Sequence, residues 1–238
     1  AYQGEWREGV MHGYGTYIYG KTSNSYKGEW VKGKKHGHGI FYNKKRGEEY
    51  EGSWKDGMRC GYGTMINHSY GWKYMGKYYN NYSHGNGIMI DRDGKYEGNW
   101  VRGKRHGAGR AEYNDGAVYE GQWGNDKYHG YGVFSCPAYT YKGDWLEGEM
   151  HGHGECKMAN GTVYIGQYQR GMRHGEGEER MPDGSRFKGI FSSNLRNGEG
   201  TFVYPTGANC FGTWKNNQLD GAGVYTYPDG RTIMVMYK

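Results

Sequence analysis

Seven histidines fall at one recurring place in the sequence, His12, His36, His84, His106, His129, His151 and His174, each followed by Gly-x-Gly. Imidazole is a common metal ligand and glycine-rich loops cradle phosphates, so metal and nucleotide binding are the first chemistries to weigh. A phosphate cradle needs a strand, a glycine turn and a helix N-terminus, and no helical periodicity follows any of these glycines. Two histidines sharing a zinc must each reach it at about 2 Å, whereas equivalent places in successive hairpins stand roughly 9 to 10 Å apart. Neither a metal site nor a cofactor is expected; each imidazole is expected to pack against neighbouring rings and bond to backbone near a turn. Catalysis has no better support. Cys60 stands in a histidine place in MRCGYG, with no base to activate it, and Glu29, Glu51, Glu97 and Glu120 lie on a solvated strand face. The sequence therefore reads as a protein that is not an enzyme.

The elements that carry these residues repeat. The pattern Tyr-x-Gly-x-aromatic, five residues, then His-Gly-x-Gly begins near Tyr2, Tyr26, Tyr50, Tyr74, Tyr96, Tyr119, Tyr141, Tyr164, Phe187 and Cys210, at a spacing of 22 to 24 residues. In YKGEW, Tyr26, Gly28 and Trp30 share one face at period two while Lys27 and Glu29 share the other. Dipeptides such as Lys32-Gly33, Asp56-Gly57 and Asn216-Asn217 follow, made of residues that accept the positive φ of a tight hairpin. Each repeat is thus a β-hairpin, joined to the next by turns such as PDG or NDG. Ten hairpins and a partial strand over 231–238 predict an all-β protein, a single-layer, twisted antiparallel β-meander in one continuous array over 1–238. At roughly 4.8 Å per strand, such an array would be elongated, on the order of 100 Å.

Composition agrees. The chain has 238 residues with 46 Gly and 26 Tyr but only three leucines, Leu146, Leu195 and Leu219, so aromatic rings must supply the apolar filler. A net charge of +6 is too modest for a nucleic-acid-binding tail. Four cysteines without a CxxC, no signal peptide and no apolar run near 18 residues predict a soluble, cytoplasmic protein.

Tyr-x-Gly-x-Trp followed by His-Gly-x-Gly every 22 to 24 residues, over essentially the whole chain, resembles the MORN (membrane occupation and recognition nexus) repeat family. The resemblance implies an antiparallel β-solenoid, scaffolding in cilia, cytoskeletal assemblies and membrane contact sites, dimers in some members, and an uneven affinity for anionic phospholipids. The segments MRCGYGTM and KRHGAG are similar to radial-spoke-head members. Copies 9 and 10 depart from the pattern, with Phe187 and Cys210 for Tyr and Asn197 and Asp220 for His.

Three surfaces follow. The aromatic row Trp30, Trp54, Tyr78, Trp100, Trp123 and Trp145 is expected to line a groove for a helix or extended segment of a partner protein, since hot spots favour Trp and Tyr. The basic tips Lys32, Lys34, Lys35, Arg102, Lys104 and Arg105 offer an alternative, peripheral contact with anionic lipid headgroups. Ile233, Met234, Val235, Met236 and Tyr237 form the most apolar run in the chain, an unblunted edge strand expected to be covered by a second copy in a homodimer through the C-terminal end or by a segment outside this sequence, the alternative being that it finishes the last hairpin by folding back onto copy 10. Nucleic acid is not expected, because the rings are committed to packing.

Overall fold

The alternation of large aromatic, glycine and large aromatic on one face of every first strand decides the architecture. In the computed structural model, which describes residues 1–237, these residues lie in twenty-one strands, from Tyr2–Arg7 to Thr232–Tyr237, with no helix among the described residues. Lys238, the last residue of the terminal strand expected over 231–238, lies outside the described residues. The chain divides into two compact units, Ala1–Asp115 with Trp123–Asp126, and Gly116–Gln122 with the residues from Lys127 onward. In the first unit, consecutive strands pair antiparallel from Tyr2–Arg7 to Lys104–Tyr113. In the second they do so from Lys127–Ser135 to Thr232–Tyr237. The meander expected from the hairpin pattern is therefore what the backbone forms.

The hairpin turns have positive φ at both central residues, for example Lys32 at 49° with Gly33 at 75°, and Asn216 at 50° with Asn217 at 70°. That is the twist-matched two-residue turn the dipeptides predict. Across each unit the middle glycines of neighbouring strands pair with one another, as in Gly28↔Gly39, Gly39↔Gly52, Gly143↔Gly154 and Gly154↔Gly166. The repeat tyrosine lies flat over this glycine line. Tyr26, Tyr50, Tyr119, Tyr141 and Tyr164 are fully buried there, and each hydroxyl donates to the carbonyl three residues on, Tyr26 to Glu29 O at 3.0 Å and Tyr141 to Asp144 O at 3.0 Å. A buried phenol thus keeps a partner, and burial raises the Tyr26 and Tyr141 pKa values far above the ordinary one. In the tenth repeat Cys210 leaves the glycine line uncovered. Leu219 moves into the space, its two Cδ atoms standing 2.8 Å from where a Cβ on Gly212 or Gly223 would be.

Candidate functional site

Within each unit the rings on the glycine face form an edge-to-face series. In the first unit Tyr26 meets Trp30 and Trp54 at 5.1 and 5.4 Å, and Tyr96 meets Trp100 and Trp123 at 5.2 and 5.1 Å. In the second, Tyr141 meets Trp145 and Tyr168 at 5.0 and 5.1 Å. Such geometry aligns ring edges with ring faces and contributes about 0.5–1.5 kcal/mol per pair beyond burial. The indole N–H groups are also used, Trp30 donating to Gly15 O at 3.1 Å, Trp54 to Gly39 O at 3.0 Å and Trp145 to Gly132 O at 3.3 Å. Trp100 and Trp123 do the same to Gly87 O and Gly109 O. Trp30, Trp54, Tyr78, Trp100, Trp123 and Trp145 are consequently only 3–7% exposed. These six rings do not form the open groove expected of them; they are the core, because a single-layer sheet has no second layer to bury.

The histidines stand off the core ring row, although His36 Nδ1 accepts from the backbone N–H of the turn residue Asp56 at 3.5 Å and the His84 ring lies 5.8 Å from that of Tyr79, contacts of the kind expected. In Lys34–Asn43, Lys35 pairs with Trp30 and faces the rings, so the next residue, His36, projects from the opposite face. His84, His106, His129 and His174 are exposed there. The glycine after each histidine has positive φ, 54° at Gly37 and 57° at Gly152, and marks a shift in register. This is why that glycine recurs: it is a bulge, not a phosphate loop. Among the described residues, no group of three or more His, Cys, Asp or Glu converges on one point.

Of the six basic residues assigned to the tips, Lys32, Lys34, Arg102 and Lys104 are exposed. Lys35 and Arg105 are not at the tips. Lys35 Nζ lies 4.0 Å from the Phe41 ring centre and 4.6 Å from that of Trp54. The Arg105 guanidinium lies 4.3 Å from the Trp123 ring centre and pairs with Asp126 at 3.3 Å. Cation–π contact and the buried side-chain stem favour these inward positions.

The arginines at this place mark a repeat-to-repeat clip. Arg59, Arg105, Arg173 and Arg196 each donate their backbone N–H to the side-chain oxygen of an Asn or Asp in the next hairpin turn, Asn81, Asp126, Asn194 and Asn217, at 2.9 Å. The guanidinium of Arg59 also reaches Asn81 O at 2.9 Å, and that of Arg173 reaches Asn194 O at 2.7 Å. Where the place holds Met11, Lys35, Ser83, Tyr128 or Met150, the corresponding turn residue is Gly33, Gly57, Gly103, Gly148 or Gly171. Sequence reading misses this pairing, although its signal, an Arg matched by Asx in place of Gly 21 or 22 residues later, is present. We expect Asn194→Gly to lower unfolding free energy by about 1 kcal/mol, glycine's tolerance of positive φ offsetting part of the lost bonds. A double-mutant cycle with Arg173→Met, measured by urea melts, should give a coupling of about 0.5 kcal/mol or more.

The terminal strand Thr232–Tyr237 pairs with Gln218–Thr226. Met234 and Met236 are 71% and 77% exposed, Ile233 and Tyr237 about half exposed, and Val235 half-buried.

On the face opposite the rings, the second unit holds an open groove of about 840 Å³. Its floor includes Gly166, Gly177, Gly189 and Gly200, where the absence of side chains leaves a channel across the strands. One bank is the cross-strand row Ile165, Glu178, Lys188, Thr201 and Phe211; the other carries His153, Glu176, Ile190 and Glu199. Phe211 is 47% exposed. Glu178 is taken by Arg180 at 2.8 Å, while Glu176 and Glu199 have no ion-pair partner among the described residues.

A hairpin repeat array with an aromatic core and an open glycine-floored face is a repeat scaffold by construction. The MORN repeat family matches residues 2–23, 26–45, 50–70, 74–95, 96–118, 119–140, 141–163, 164–186, 187–208 and 210–230, so the chain belongs to that family. Among solved structures, the chain is similar to the TCP domain of SAS-4 (dCPAP) from Drosophila melanogaster, solved with a proline-rich motif of Ana2 (dSTIL). The identity there is 13%, over 74% of this chain and 84% of that one, with a TM-score of 0.31. The TCP10c domain of Drosophila melanogaster Sas-4 is 13% identical, covering 75% and 93%, with a TM-score of 0.28. A mutant TCP10 domain of Danio rerio CPAP is 11% identical, covering 95% and 89%, with a TM-score of 0.26. No curated protein sequence matches the chain.

Proposed function

We infer that this protein is a non-enzymatic scaffold that holds a segment of a partner protein, and that the segment lies in the glycine-floored groove of the second unit. The observation that carries the reading is the pairing, in one open channel, of the exposed Phe211 and the half-buried Ile165, Ile190 and Val203 with two glutamates that no cation of the described residues engages. Within the channel, Ile165, Ile190, Val203 and Phe211 are the apolar side chains offered to a partner. The occupant suited to them is a helix or extended segment with apolar residues and a Lys or Arg placed for Glu176 or Glu199. The family resemblance is what supports a cytoskeletal or ciliary setting and a cytoplasmic location.

The test is site-specific photo-crosslinking in cells, with a photoreactive residue at Ile190 or Phe211 and, as control, at the exposed Lys142 outside the groove. The expected result is one crosslinked protein from the groove positions alone. Its purified segment should lose at least tenfold in affinity on Phe211→Asp or on the double change Glu176→Lys with Glu199→Lys, with the melting temperature unchanged. Equal crosslinking from the control position, or affinity indifferent to these changes, would remove the groove from the reading.

A further inference from the structure

The row of residues that faces the rings contains two instances of a pair of cations in successive repeats, and the two are neutralised differently. In the second unit, Glu179 sits between Arg173 and Arg196 and accepts from both, at 2.6 Å from Arg173 Nη1 and 2.6 Å from Arg196 Nη2. All three side chains are largely buried, 18%, 13% and 14% exposed in the order Arg173, Glu179, Arg196. Glu179 is the sixth residue after Arg173. In the first unit the same places are held by Lys35 and Arg59, but the sixth residue after Lys35 is Phe41 and the sixth after Arg59 is Met65. The Arg59 Nη1 that corresponds to the Arg173 donor to Glu179 points instead at Met65 Sδ, 4.0 Å away, a weak acceptor. Lys35 Nζ has rings around it, Phe41, Trp54, Tyr26 and Tyr19 at 4.0 to 5.7 Å. Among the described residues, neither Lys35 nor Arg59 has an ion-pair partner.

Space accompanies the charge. A cleft of about 240 Å³ opens beside the two cations, lined also by Asn43, Arg46, Glu48 and Asn81. Glu48 is the one carboxylate of that lining and lies 4.0 Å from Arg46, so the cleft retains the charge of Lys35 and Arg59. Rings stabilise a cation through their faces, but a face does not satisfy ammonium or guanidinium hydrogens. The consequence is visible at Lys35, whose pKa burial and then the neighbouring Arg59 charge push down to about 8.

We propose that the cleft between Lys35 and Arg59 is a binding site for an oxyanion, a carboxylate or phosphate group of a ligand that takes the place Glu179 holds between Arg173 and Arg196. The chemistry is bridging, one group accepting from an ammonium and a guanidinium across adjacent repeats, with Asn43 and Asn81 also in the lining. The site lies in the first unit and does not depend on the groove of the second.

Calorimetric titration of the intact chain with inorganic phosphate and, separately, with succinate, at constant ionic strength, tests this. Saturable binding of at least one anion is expected. Binding of phosphate alone assigns the site to phosphate-bearing ligands, and binding of succinate assigns it to carboxylates. Phe41→Glu supplies an internal carboxylate at the place of Glu179 and should weaken binding at least tenfold, whereas Phe41→Gln should change it less than threefold. Lys35→Met keeps the side chain's contact with the rings and should also weaken binding at least tenfold, with circular dichroism melts confirming the fold. At pH 8 the bound anion should draw a proton onto Lys35, so the measured heat should differ between buffers of different ionisation enthalpy; a purely structural cation cluster would not produce that difference. The proposal is overturned if neither anion gives saturable heat, or if folded Phe41→Glu and Lys35→Met proteins bind as the parent does.

Discussion

Gly154→Ala is expected to unfold its part of the array, lowering unfolding free energy by about 3 kcal/mol or more. A Cβ at Gly154 would stand 2.4 Å from Tyr141 Oη, 2.5 Å from its Cε2 and 2.6 Å from its Cζ. Contacts that short must be relieved by movement, and nothing nearby is free to move. The Tyr141 ring is fully buried, held edge-on by Trp145 and Tyr168 and tethered through its hydroxyl to Asp144 O. Lifting the ring would break that bond and bury the freed polar groups without partners. The backbone of Gly154 is itself extended, so the loss comes from packing and not from strain in φ. By contrast, a Cβ at Gly171, a turn glycine of the same unit, meets nothing within 4 Å, and Gly171→Ala is opposed only by its φ of 75°. We expect that second change to cost about 1 kcal/mol. Urea melts of both variants, with hydrogen exchange at Tyr141 to Cys156, provide the comparison. Equal losses at the two glycines would refute the flat-ring account.

Glu179→Gln is expected to remove about 3 kcal/mol by leaving two largely buried guanidiniums without their shared counter-charge. Burial by itself would raise the Glu179 pKa, but the hydrogen bonds from Arg196 and Arg173, with their charges, outweigh it and hold the carboxyl below its ordinary value. A depressed folded-state pKa means that the unfolded chain binds the proton more readily. The stabilisation is therefore fully present above the unfolded value of about 4.3 and is lost as pH falls through the lower folded value. The difference in unfolding free energy between the parent and Glu179→Gln should be large at pH 7 and shrink steadily below about pH 4. Replacing all three residues with methionine, as Met65 stands in the third repeat, should restore much of the loss, because apolar side chains carry no desolvation penalty. A difference that grows in acid would show that Glu179 is not the ionised partner.

The period of 22 to 24 residues, the two-residue alternation in Tyr-x-Gly-x-Trp and the Gly or Asn turns determine the meander from sequence alone. Each is local: a strand's faces follow from odd and even positions, and positive φ selects the turn residues. What lies on which side of the sheet was legible for Tyr26 and Trp30 because they sit two apart on one strand. It was not legible for Lys35 and His36, since the bulge at Gly37 shifts the register between the two parts of the hairpin. That shift sends Lys35 onto the rings and His36 away from them, and with it moves two basic residues off the tips. Only the tertiary structure decides whether a ring row is groove or core, because that depends on how closely the glycine backbones of adjacent strands approach. With Gly28 and Gly39 so near that a Cβ on Gly28 would meet Gly39 Cα at 2.5 Å, Tyr26 closes over both and the aromatic face fills. The opposite face keeps the same glycines uncovered, so the channel beside Phe211 and the carboxylate missing between Lys35 and Arg59 emerge from contacts between repeats, which no single repeat's sequence contains.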